Sequence, residues 1–109
     1  MPGGGRVLCS HLVRLRIDGA VRPAEWVNLE EIDAFGAVVA SPQPFPTQVE
    51  VRILAKGFEA PGFIQRCRER EEDFALTIEF VGGFRWSEEL WRPEHMFAPG
   101  AKAKGAGAG

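Results

Sequence analysis

VNLEEIDAFGAVVA, residues Val27 to Ala40, reads as a strand, a polar turn closed by one glycine, and a second strand of small and β-branched residues. On both sides the sequence keeps a period of two. In His11 to Asp18, Val13, Leu15 and Ile17 alternate with Arg14, Arg16 and Asp18, as in a half-buried strand, and Asp18-Gly19 marks a turn. Glu25 to Leu29 and Gly36 to Ala40 are the strands around the polar turn. Pro42-Gln43-Pro44-Phe45-Pro46 can be neither a central strand nor a helix, because three prolines remove backbone donors.

Gln48 to Ala55 alternates again. Val49, Val51, Ile53 and Ala55 take one face and Glu50 and Arg52 the other, with Leu54 breaking the polar face at its end. Lys56-Gly57 turns the chain, and Phe63 to Glu69 and Phe74 to Phe80 read as a hairpin. Leu76, Ile78 and Phe80 are expected inside it, Thr77 and Glu79 outside. Six short strands with turn signals at close spacing predict an all-β domain, a small closed barrel or a sandwich. Closure also removes exposed strand edges.

After Gly82-Gly83 the pattern changes. Ser87 precedes Glu88 and Glu89, an N-cap followed by acidic residues, and Trp86 and Trp91 flank it as a hydrophobic staple. Pro93 stops the segment early, so one or two helical turns are predicted. Trp86, Trp91, Met96 and Phe97 are expected to cover the barrel's open end. An exposed Trp86 or Trp91 would instead be an anchor for a protein partner.

The chain has 109 residues, 45% of them hydrophobic, which suits one domain with a core. Residues 1–7 are expected to be a flexible N-terminus, 8–99 the folded domain and 100–109 an Ala/Gly/Lys tail. The net charge is −2, and setting aside Lys102 and Lys104 of the tail leaves −4. An acidic body without tyrosine argues against a protein built to grip nucleic acid phosphates or stack single-stranded bases. Arg14 and Arg16 alternate outward on the first strand, and Arg66 and Arg68 are expected to do so on the fifth. As neighbours these strands would form a basic patch; otherwise they are solvated faces, partly neutralised by Glu50, Glu69 and Glu79.

Cys9, Cys67, His11 and His95 lack the spacing of a zinc site, so two reduced thiols and no metal are expected. No apolar run approaches the ~20 residues of a membrane span, and the N-terminus shows no secretion signal, so a cytoplasmic protein is expected. Neither histidine has a nucleophile motif beside it. Adjacent acids such as Glu30-Glu31 and Glu71-Glu72 point apart in a strand, and no glycine-rich phosphate loop precedes a helix. A non-catalytic protein without cofactor is expected.

The order of six short strands, a polar turn ending in Gly36, a hairpin finishing in ALTIEF and a short terminal helix resembles the PilZ domain family, over about Leu8 to Pro99. The resemblance implies a six-stranded barrel with a helix, and cyclic di-GMP as ligand. NLEEIDAFGAVV is similar to the family's strand-turn-strand, where an Asp/Asn-x-Ser-x-x-Gly motif sits in the turn. Gly36 matches the motif glycine, Asp33 stands at the serine and Glu31 at the Asp/Asn. The family's Arg-x-x-x-Arg precedes the first strand. There this chain offers Arg6 alone, with Ser10 four residues later. Arg66-Cys67-Arg68-Glu69-Arg70 repeats the spacing in the wrong place.

Two arginines on one arm give forked donors to phosphates and guanines, and a serine can donate where an ionised aspartate only accepts. Loss of one charged hydrogen bond costs ~1.5–3 kcal/mol. Asp33 can instead serve its own turn, and Gly36 can permit φ > 0 or close packing. The expected function is therefore a PilZ-like interaction domain acting through a protein partner, impaired in cyclic di-GMP binding. The alternative is a receptor for that nucleotide using a different arginine set, Arg6, Arg14 and Arg16.

Overall fold

The computed structural model describes residues 5–96. The expected tail at 100–109, the docking of Phe97 and most of the N-terminal arm lie outside the described residues.

Six strands run β1 Val7–Ile17, β2 Glu25–Ile32, β3 Gly36–Ser41, β4 Glu50–Ala55, β5 Phe58–Glu69 and β6 Phe74–Phe80. They close into an antiparallel barrel in the order β1-β2-β3-β6-β5-β4. The sequence-predicted strands are all present; β1, β2, β3 and β5 are longer than expected and β4 is shorter. β1 begins at Val7, inside the segment expected to be flexible, because Val7 and Cys9 are buried and Val7 and Leu8 pair with Ile32 and Glu31 of β2. β5 begins at Phe58 and runs through Pro61. Proline is tolerated there because its carbonyl accepts from Val81 N at 3.2 Å, just past the end of β6. The missing donor faces that same side, where the ladder runs out, so β4 loses no partner.

The inward positions form a single apolar core. Val13, Leu29, Val39, Val51, Ile53, Ile64 and Leu76 are wholly buried, and Ile78 and Phe80 follow as the alternation predicts, with Glu79 exposed. Burying such a side chain contributes roughly 1.5–3 kcal/mol, and truncating one to alanine costs about 2–5 kcal/mol. At one end Phe45, from the proline-rich loop, is buried under the Arg22 guanidinium, 5.2 Å from its ring centre. Aromatic rings pack together elsewhere on the barrel. Phe84 meets Phe80 edge-on at 4.9 Å, and Phe58 stacks on Trp91 at 4.2 Å.

The terminal helix is not formed among the described residues. Ser87 O accepts from Leu90 N at 3.0 Å and Trp91 N at 3.3 Å, and Ser87 Oγ accepts from Leu90 N at 3.3 Å, which makes one turn. The Trp91 carbonyl then accepts from the Trp86 indole N–H at 2.8 Å, and Pro93 has no N–H to continue. One turn without continuation bears the full nucleation cost. No helix among the described residues is long and apolar enough to cross a membrane.

The β1–β5 adjacency needed for the basic patch is absent, because β4 separates those strands. Arg14 and Arg16 therefore do not join Arg66 and Arg68 across a shared ladder.

Candidate functional site

The turn between β2 and β3 is built by Asp33. Its Oδ1 accepts from Phe35 N at 2.8 Å and Gly36 N at 2.9 Å, and Asp33 N donates to Gly36 O at 2.9 Å. This is an Asx-type turn, in which the carboxylate satisfies the donors that a tight reversal leaves unpaired. The two exposed turn carbonyls are also used. Phe35 O accepts from Phe80 N at 2.8 Å and Ala34 O from Trp86 N at 3.2 Å. The turn is thus tied to the end of β6 and to the chain that follows it.

Gly36 stands opposite Glu79 on β6. A Cβ on Gly36 would lie 2.4 Å from the Ile78 carbonyl oxygen, a contact only glycine avoids. Gly36 is absent from the glycines with positive φ. Of the two roles that the sequence leaves open for it, close packing between strands is the one present.

Beside this turn lies a groove of about 330 Å³. Arg6, Glu31, Asp33, Phe35 and Glu79 stand around it, over the backbone of Gly36 to Val38 and of Thr77 and Ile78. Four of the six residues predicted for ligand binding, Arg6, Glu31, Asp33 and Gly36, therefore share one groove. Its charge is one arginine against three carboxylates. Arg6 is held by Glu31, Nη1 to Oε1 at 3.2 Å. Like charges about 6 Å apart repel by roughly 1–3 kcal/mol between water and a protein surface, so each added phosphate meets a penalty here.

Arg14 and Arg16 lie elsewhere. Eight residues of extended chain from Arg6 to Arg14 span about 26 Å, farther than one compact dinucleotide reaches. Arg14 instead rests over Trp26, 5.7 Å from the ring centre, and Arg16 lies 4.0 Å from Asp18. The set Arg6, Arg14 and Arg16 is not one site.

Trp86 is also reassigned. It is 5% exposed with its indole N–H engaged, so it belongs to the core and is no anchor for a partner. Trp91 is half-buried, stacked on Phe58 and 5.0 Å from the His11 ring. The His11 Nδ1 accepts from Glu94 N at 2.9 Å, which fastens the segment after β6 to β1. Cys9 is buried, and burial, with Glu30 and Glu31 adding to it, pushes its thiol up to about 11. It stays protonated and unreactive at neutral pH.

Two features escaped sequence reasoning. The first is Arg70. Its guanidinium holds Asp73 through two bonds of 2.7 and 2.9 Å and Glu30 through two of 3.2 and 3.3 Å, joining the β5–β6 turn to β2. The second is Trp26, 60% exposed on the outer face with Leu12 at 64%. Its signal was available, since Trp26 alternates with the inward Val27 and so points out. No protein-family model, curated protein or solved structure matches this chain.

Proposed function

We propose that this chain is a non-catalytic, PilZ-like regulatory domain of a bacterial, cytoplasmic type, which acts through a protein partner and does not take cyclic di-GMP at the Asp33 turn. The observation that carries this reading is the state of Asp33. Both hydrogen bonds of its Oδ1 go to its own turn, and the groove beside it holds three carboxylates and one already-paired arginine. A ligand with two phosphates needs donors and positive charge there. The closed six-stranded barrel, with Gly36 opening β3 after the Asp33 turn, supports the PilZ-like part of the reading.

Titration calorimetry with cyclic di-GMP at low salt tests it. No heat beyond dilution is expected up to high micromolar ligand. Saturable heat at low micromolar affinity, lost on Arg6→Ala, overturns the reading.

A further inference from the structure

A closed barrel leaves every outward apolar side chain to solvent or to a partner. On the β1–β2 face two large ones lie together. Leu12 pairs opposite Asn28 and Arg14 opposite Trp26, which sets Leu12 and Trp26 on a diagonal of one ladder. Arg14 also stands opposite Leu54 of β4, so Trp26, Arg14 and Leu54 form a row across three strands.

A groove of about 400 Å³ follows this row, with Leu12, Trp26 and Leu54 as its apolar part and Arg14 and Lys56 as its cations. No carboxylate lines it. Glu59, opposite Leu54 on β5, is engaged by Arg52 at 3.0 Å. Among the described residues neither Arg14 nor Lys56 has a salt-bridge partner. Beyond the Leu12–Trp26 ridge the sign reverses, at Glu72 and Asp73. This face thus carries unneutralised positive charge on one side of an exposed tryptophan, within a body whose net charge is negative.

We propose that this face docks a protein partner through an acidic-apolar segment. One of the partner's aliphatic or aromatic side chains packs on Trp26 and Leu12, and its carboxylates face Arg14 and Lys56. The inference rests on the partner-binding reading above and names its surface. Tryptophan and arginine are the residue types in which interface energy concentrates. Charge complementarity sets the segment's direction and makes its association salt-dependent. A two-fold contact about the Leu12–Trp26 ridge would have to set Arg14 and Lys56 against Glu72 and Asp73 of a second copy, and Asp73 is already held by Arg70, so a second copy is the outcome that ultracentrifugation reads.

Selection of displayed random dodecapeptides on the full chain tests this, followed by anisotropy titrations of the enriched peptides. Peptides pairing Asp or Glu with Leu, Phe or Trp are expected, weakening as salt rises. Trp26→Ala should weaken them by about tenfold or more. Arg14→Glu with Lys56→Glu should abolish them and enrich basic-apolar peptides instead. Arg66→Glu, at an exposed position of β5, should leave them unchanged. Circular dichroism identifies any variant that fails to fold, and the Arg14/Lys56 reversal, with its predicted switch of sign, then carries the test. The proposal is overturned if nothing is enriched, if enriched peptides lack acidic residues, or if they ignore both changes. It is overturned as well if Trp26→Ala converts a dimer to monomer in ultracentrifugation, or if nucleotides displace the peptides. Cyclic di-GMP binding through Arg6 would overturn the functional reading without altering these outcomes.

Discussion

Asp33 illustrates how one side chain can be claimed by structure before it is available to a ligand. Its carboxylate closes the β2–β3 turn through the Phe35 and Gly36 amides. Asp33→Asn keeps an acceptor at Oδ1 and should leave stability nearly unchanged. Asp33→Ala removes it and should cost about 0.5–2 kcal/mol in urea unfolding, the scale of losing a side-chain oxygen that caps backbone amides. Gly36→Ala should cost more, in the range of about 1–3 kcal/mol or above, because the Ile78 carbonyl that the new methyl meets is backbone. Equal loss in Asp33→Asn and Asp33→Ala would show that charge, not turn geometry, is what the position supplies.

At the scale of elements, bulges explain much of what period-two reading could not reach. Leu29 pairs with Val39 and Glu31 with Val38, so Glu30 is an extra residue in β2. The bulge shifts the inward set from Val27 and Leu29 to Ile32, and frees Glu30 to reach Arg70. A second shift, between Ile64 and Arg66, leaves Gln65 beside the Asp33 groove. Alternation identified all six strands and most inward residues, because half-buried strands need it. The bulges, the start of β1 at Val7 and the passage of β5 through Pro61 depend on which strand lies alongside, and a local window carries no such information. The same limit applied to the candidate site. Arg6, Glu31, Asp33 and Gly36 were legible as one cluster, whereas Arg14 and Arg16 could be separated from it only by the strand order. The predicted short helix is absent among the described residues, where Ser87 closes one turn and Pro93, lacking an N–H, does not continue it.

Arg70 gives this level its own prediction. Its guanidinium holds the Asp73 carboxyl below the usual carboxylate range, so folding favours the ionised form. A carboxyl whose pKa is lowered on folding stabilises fully above its unfolded value, near 4, and loses that stabilisation as pH falls through the lower folded value. Between pH 5 and pH 3 the parent chain should therefore lose more thermal stability than Asp73→Asn. Parallel acid limbs for the two proteins would mean that the pair contributes nothing to folding.

The whole molecule divides its charge as well as its surface. Closure in the order β1-β2-β3-β6-β5-β4 leaves the described strands no open edge through which to recruit another strand. Recognition must then use side chains on the outer face or grooves at the strand ends. The groove at the Asp33 turn is acidic and internally bonded, and the groove at Trp26 is basic and apolar. The two surfaces suit ligands of opposite character, and on the proposed reading the first does not take a nucleotide with two phosphates. The most direct test is an amide NMR titration of the full chain with cyclic di-GMP, read at Phe35 and Gly36, whose N–H groups are bound to Asp33. Both resonances should stay fixed across the titration. Saturable shifts at those two amides, together with Arg6, would contradict the account.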